Sequence, residues 1–393
     1  MGDNFTEVTN QSIFGRLGNA IKGVLLGIVL VPAAVVLLFW NEGRAVKTAK
    51  SLKEGESIVV PVSADKIDPA NEKKLVHFTG KAETGDTVRD PKFEISLGAI
   101  RLDREVQMYQ WKEDKKTTTQ KKLGGGTEST TTYSYSKTWE KGLILSVDFK
   151  HPEGHENPKT MIATSNTVHA DKVTIGAFRL PSSIISSLGG EEQLNLKDED
   201  FQKIPPTVKG KAILSDGSLY YGTDPTAPQI GDQRVTFKVL RPATFSIISQ
   251  QDRDTLSPYH TKAGREIERV ESGVVSAEEM FAHAKSENNL WTWALRGIGV
   301  LVMAIGFGMI VGPFTTLLDV IPFLGDIVGA GVGFAAFILA GVVSLVVIAV
   351  AWFVVRPILT IVLIAAAVGA LILGRNFAAR RKQATPITQA TGA

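Results

Sequence analysis

The sequence predicts a multi-pass α-helical membrane protein with four transmembrane helices and a large β-rich (α+β) extracytoplasmic domain. Three observations predict it. Apolar residues gather at the two ends of the chain, in Gly23–Trp40 and from Asn289 to Gly374. The stretch between them, 41–288, is polar and carries short runs of period-two alternation. A basic cluster, Arg375, Arg380, Arg381 and Lys382, directly follows the last apolar block.

Composition sets bounds. The chain has 393 residues, of which 44% are hydrophobic and 21% charged, an average that would suit a soluble protein. The average misleads, because the apolar residues are concentrated at the ends. A net charge of +3 on scattered basic residues gives no nucleic-acid footprint. The absence of cysteine excludes disulfides, thiolate metal sites and a cysteine nucleophile.

Residues 1–22 are expected to form a cytoplasmic N-terminal segment. Ser12 is placed to cap a short helix with Phe14, Leu17 and Ile21 on one side, either lying at the interface or fraying as a tail. Residues 23–40 read as the first transmembrane helix. The long polar leader and the sequence Asn41-Glu42-Gly43-Arg44 argue against a cleaved signal peptide.

In 41–288, strands are expected at Ser57–Ser63, Leu75–Gly80, Ile100–Trp111, Tyr133–Trp139, Leu143–Phe149, Val173–Phe178 and within Arg234–Ile248. Along Ile100–Trp111, Arg104 interrupts an apolar face of Ile100, Leu102, Val106 and Met108, and Tyr109 and Trp111 fall opposite. Either both faces are partly covered, or a bulge near Met108 turns the aromatics inward. Lys115–Thr132, rich in Thr, Lys, Ser and Gly, reads as a flexible loop whose flanks pair as a hairpin. Asp216-Gly217 is a turn signal between β-prone flanks. Short helices are expected at Pro181–Leu188 and at Ala277–Lys285, the latter leading into the membrane.

Three further spans follow, at 289–312, 328–355 and 358–374, each close to the ~20 apolar residues that cross a bilayer core. In lipid the backbone must satisfy its own hydrogen bonds, so these blocks are helices. Residues 313–327, with Pro322, Asp319 and Asp326, read as a connector at the membrane surface or half inserted. Residues 375–393 form a cytoplasmic tail, because basic clusters flanking spans mark the cytoplasmic side. An even number of spans puts the N-terminus on that side and 41–288 outside the cytoplasm. Arg44, Lys47, Lys50 and Lys53 pull the other way, but the rule is weak beside large translocated domains.

Several phrases resemble the LUMA family, also called transmembrane protein 43. They are Trp40-Asn41-Glu42-Gly43-Arg44-Ala45, Gly98–Arg104 with Met108–Trp111, Tyr133-Ser134-Tyr135 with Trp139, and Asp319–Asp326. The likeness runs in consistent order over nearly the whole chain. It implies four membrane helices, a lumenal or periplasmic domain and a self-associating organiser of membrane complexes. In animals the family is placed in endoplasmic reticulum and inner nuclear membrane. The richness in Ala, Gly and Val and the short loops point to a bacterial member, in an inner membrane with a periplasmic domain. The resemblance implies no catalytic residues.

No motif supports chemistry. His151 and His155 are four apart, but Pro152 and Gly154 make a loop of them and the glutamate is misplaced for a zinc helix. Gly124-Gly125-Gly126 lacks the Lys-Ser/Thr of a phosphate loop. No serine sits in a nucleophile elbow. We therefore expect no enzyme, cofactor or metal. The expected partners are the bilayer, other membrane proteins and further copies of the chain, and not nucleic acid. Gly325, Gly329 and Gly333, spaced four apart, are candidates for close helix packing. Asp319, Asp326 and Arg356 are ionisable groups near the membrane, which can mark a pathway. A channel or transporter using Asp319 and Asp326 is the alternative function. Arg356, beside Pro357, is expected to snorkel at a helix end.

Overall fold

The structure, a computed structural model, describes residues 4–320, 322–356 and 361, the side chains of 322–326 excepted. The fourth span at 358–374, Arg375, Arg380, Arg381, Lys382 and the tail lie outside the described residues, as do the side chains at Gly325 and Asp326. The chain divides into two units. One comprises Lys50–Glu287, the N-terminal residues up to Ile13 and the turn at Val320–Pro322. The other comprises Phe14–Ala49, Asn288–Asp319 and the chain from Phe323 onward.

The first unit is mostly β. Strands β1 (Asn4–Gln11), β2 (Leu75–Glu83), β3 (Arg101–Lys121), β4 (Thr127–Glu140), β5 (Gln233–Leu240) and β6 (Thr244–Asp252) carry its two main sheets. In the eight-stranded sheet, β1, β4, β3 and β5 are neighbours in that order, followed by the hairpin Ser218–Tyr221 and Ile213–Ser215. In the seven-stranded sheet β2 pairs antiparallel with β6, Leu75 opposite Gln250. Asp216 and Gly217 both take positive φ, 47° and 69°, as the expected two-residue turn requires.

Alternation along β3 is regular and needs no bulge. Leu102, Arg104, Val106, Met108 and Gln110 are buried, while Tyr109 and Trp111 lie half-buried on the other face. The core of this unit gathers Phe78, Phe93, Phe178, Phe237 and Phe245 with Val106 and Leu102. Phe78 and Phe178 stack at 4.4 Å. Burying one such side chain contributes roughly 1.5–3 kcal/mol. Arg104 is tolerated there because its Nη1 donates to both oxygens of Asp90 at 2.5 Å and its Nε to the Thr164 carbonyl at 3.0 Å.

Three expectations are corrected here. Lys115–Thr132 is not a loop. β3 and β4 pair continuously from Met108–Glu140 to Lys121–Thr127, leaving only Lys122–Gly126 as the turn. Threonine is β-branched and favours strands, and its hydroxyls pair across them, Thr117 with Thr131 at 3.0 Å and Thr119 with Ser129 at 2.9 Å. Leu143–Phe149 is not a strand but holds a short 3-10 turn at Ser146–Asp148. The helix expected after Ser12, with Phe14, Leu17 and Ile21, is present as the first turns of the helix Ile13–Ile58 and not as a separate element, but the residues before it are no free segment, since β1 pairs antiparallel with β4, Asn4 opposite Ser134 and Gln11 opposite Thr127. Residues 4–11 thus share a sheet with 127–134, within the β-rich unit.

The helices are longer than the spans read from hydropathy. Helix α1 (Ile13–Ile58) has 46 residues, α2 (Ala277–Leu318) has 42 and α3 (Pro322–Val355) has 34. All three contain segments long and apolar enough to cross a membrane. α1 continues past Trp40 because Ala45 to Glu54 is rich in good helix formers and buries Ala45, Val46 and Leu52. The strand expected at Ser57–Ser63 is consequently reduced to Val60–Pro61. α2 starts on a capping box, in which the Ser276 hydroxyl accepts from the Glu279 amide at 3.2 Å and the Glu279 carboxylate from the Ser276 amide at 3.1 Å. The connector expected at 313–327 is divided: α2 runs through Pro313 to Leu318, a turn follows, and α3 starts at Pro322. Proline suits the first helical position, where its missing N–H has no partner to lose.

A candidate functional site in the helix bundle

In the second unit α1 and α2 pack antiparallel, with α3 against both. A small apolar core of Ala34, Leu38, Met303 and Ala340 joins the three. Contact between α1 and α2 depends on three glycines. A Cβ at Gly27 would lie 2.6 Å from the Gly306 carbonyl oxygen, one at Gly306 2.8 Å from Val31, and one at Gly299 2.5 Å from Leu38. Distances under 3.0 Å cannot be met without movement, so these backbones approach as far as glycine permits.

Directly after Trp40 the packing turns polar. On α2, Asn288, Thr292 and Arg296 are four apart and share one face. They meet Asn41, Glu42 and Arg44 of α1. Asn41 and Glu42 are buried, at 0% and 1% exposure. Arg296 donates twice to Glu42, Nε to Oε1 at 2.6 Å and Nη2 to Oε2 at 2.8 Å. The indole N–H of Trp352 on α3 adds a third bond to Oε2 at 2.8 Å. Arg44 donates to Asn41 at 3.2 Å, to Asn288 at 3.1 Å and to the Thr292 hydroxyl at 3.1 Å. Asn41 donates to the Thr292 carbonyl at 3.0 Å, and Asn288 to the Ala45 carbonyl at 3.1 Å. The result is a polar ladder two helical turns deep, in which one carboxylate ties all three helices together.

A second ion pair lies at the other end of the α1–α2 contact, between Arg16 and the 3%-exposed Asp319. The sequence singled out Asp319, and the structure shows the cation that holds it. Arg356 sits over the Trp352 ring at 5.7 Å, next to the ladder. Gly329 and Gly333 do not take part in packing within the described bundle, since a Cβ at either would meet nothing within 4 Å. Glu42, Arg296, Asn41 and Trp352 were not singled out from the sequence. The available signal was Arg296, the only charge in 293–312, where an ionisable residue requires a partner.

Chemically the ladder is closed. The Glu42 carboxylate is occupied by three donors. Its geometry suits fixing helix register, not turnover. In the β-rich unit, His151 and His155 join an aromatic layer. His155 stacks on Tyr135 at 3.9 Å, and Phe5 on His151 at 4.4 Å. The Tyr135 hydroxyl donates to Glu113, and burial together with that bond pushes its pKa up to about 12. A cleft of about 450 Å³ on the eight-stranded sheet is lined by Glu105, Trp139, Tyr220, Arg234 and Lys238 among others. Burial raises the Glu105 pKa, but Lys141 and Lys238 outweigh it and hold the carboxyl below its ordinary value. Among the described residues no group of three or more His, Asp or Glu is arranged to hold a metal ion.

Comparison with known proteins gives a consistent likeness. A family model described as transmembrane protein 43 matches residues 108–357. Transmembrane protein 43 of Rattus norvegicus is 34% identical over 374 residues, covering 92% of this chain and 91% of the relative. The protein of that name from Homo sapiens is 33% identical over 374 residues, with the same coverage of 92% and 91%. The Drosophila melanogaster homolog is 30% identical over 287 residues, covering 72% and 74%. No solved structure matches the chain.

Proposed function

This chain belongs to the transmembrane protein 43 family, and from that premise we propose that it is a non-enzymatic, self-associating membrane scaffold. It organises membrane protein complexes or membrane domains. The observation that carries this reading is the closed ladder. Glu42 is matched by Arg296 and Trp352, and Asp319 by Arg16. Ionisable groups that conduct or transport must be able to exchange partners with water or substrate, and buried pairs of this kind resist that. The pairing of Asp319 therefore speaks against an ion path through it.

In this reading the block at 358–374 supplies a fourth span. The basic cluster at 375–382 stays in the cytoplasm of a bacterial inner membrane. The test is the mass of the full chain in mild detergent, combined with cross-linking in native membrane. An assembly of several copies is expected. A single-chain mass by both methods would refute self-association.

A further inference from the structure

The end of the β-rich unit is a three-stranded blade with two open edges at the same level. The register of β1 on β4 and of β4 on β3 sets Asn4 level with Ser134 and Asp114, and Asn10 level with Glu128 and Gln120. β5 leaves β3 at Met108, and Trp111 is bonded through its backbone to Asn157. From Lys112 to Gln120 the outer edge of β3 has no backbone partner among the described residues, and the same holds for the outer edge of β1. Residues 114–120 are exposed throughout, as are Asn4, Phe5, Thr6, Val8, Thr9 and Asn10.

We propose that β1 of one copy docks in parallel on the outer edge of β3 in the next copy, so that the blades close into a ring. The proposal rests on the self-association reading and names its surface. Two features favour this occupant. β1 and β3 each run antiparallel to β4, so they are parallel to each other. Rotation of the blade about an axis thus brings β1 against a neighbour's β3, and a single repeated contact satisfies both edges. Pairing of like edges would leave the other edge of each blade open, whereas closure removes edges altogether. The edges also differ in charge. β3 carries Lys112, Lys115 and Lys116 beside Glu113 and Asp114, and lysines are the kind of side chain that discourages an edge from pairing with its own copy. β1 has no lysine, and its one charge is Glu7. Neither edge contains proline.

The chain has no cysteine, so introduced cysteines report without background. Val8→Cys is combined with a cysteine at each position from Lys112 to Gln120 in turn, in the full chain in native membrane under mild oxidation. Within one copy these strands are two apart, roughly 9.6 Å, beyond the ~7 Å that a disulfide bridges. A bond therefore reports a neighbouring copy. The expected result is a ladder of three or more linked chains for one or two adjacent positions. Each single variant, Val8→Cys or Thr118→Cys, should stay unlinked. A dimer from either single variant would overturn the proposal in favour of like-edge pairing. Silence from every pair, with several copies found by mass, would overturn it and leave self-association standing. A single-chain mass would remove both.

Discussion

Replacing Glu42 by alanine tests whether the ladder holds the helices together. The carboxylate is 1% exposed and accepts three bonds of 2.6–2.8 Å, two from Arg296 and one from Trp352. Its removal leaves a guanidinium and an indole N–H without their acceptor. Removing one partner of a buried pair costs about 3–5 kcal/mol. A loss of about 3–5 kcal/mol is therefore expected for Glu42→Ala. Trp352→Phe removes one donor to a charged acceptor and should cost about 1.5 kcal/mol. Glu42→Leu combined with Arg296→Leu removes both charges at once, so its cost should fall well short of the sum of the single changes. The assay is reversible unfolding of the full chain in mixed micelles for both singles and the double. Additive effects, or a Glu42→Ala loss below about 0.5 kcal/mol, would show that the pair does not stabilise the bundle.

The glycine contacts give a second test. Gly27→Leu must push against the Gly306 backbone and should destabilise the bundle by roughly 1–3 kcal/mol in the same unfolding assay, whereas Gly329→Leu meets open space and should leave it unchanged. Tyrosine titration gives a third. Tyr135 and Tyr221 have pKa values raised to about 12, by burial first and for Tyr135 also by its bond to Glu113, so the folded state holds protons that the unfolded chain releases near pH 10. Stability should therefore be level below about pH 10 and fall as pH rises from there toward 12. Phenolate absorbance should show both residues silent through that window until the chain unfolds. Fourth, Val8→Cys and Ser129→Cys should be labelled by an impermeant reagent from the same side of the membrane, because β1 is paired to β4. Labelling from opposite sides would break that pairing.

Hydropathy was enough to locate the apolar segments of α1, α2 and α3, because crossing a bilayer imposes a length that few other demands imitate. It could not show where those helices end. Beyond Trp40 and before Trp291 they continue as amphipathic helices whose apolar residues are spaced, not continuous, so a hydropathy window passes over them. The alternation of β3 through Trp111 was legible for the same reason that it is regular, since each inward position is filled. Past Glu113, through Gln120, both faces are exposed. Without burial the period-two signal disappears, and threonine and lysine then look like loop. β1 was hidden because Asn4–Gln11 is stabilised by a partner more than a hundred residues away, which no local pattern reports. The ladder was hidden differently. Asn41-Glu42-Gly43-Arg44 was visible as a resemblance and Arg296 as a charge in an apolar block, but only the antiparallel register of α1 and α2 brings them together.

That register also bears on how the protein acts. Buried charges in a membrane bundle are costly unless paired, and once paired they are costly to separate. Arg16–Asp319 and Glu42–Arg296 sit at opposite ends of the α1–α2 contact, with glycine-mediated contacts between them. Sliding one helix past the other by a turn would break both pairs and drive side chains into Gly27, Gly299 and Gly306 together. A rocking or sliding mechanism is thus opposed at three levels of the same interface. The bonding capacity left over is elsewhere, on the two open backbone edges of the blade. In the proposed assembly those edges are met by a strand of the next copy. On the proposed reading the bundle is the rigid part and the β-rich unit the associating one. This division predicts that Glu42→Ala lowers stability without changing the pattern of β1–β3 cross-links, while blade variants change that pattern and leave the bundle intact.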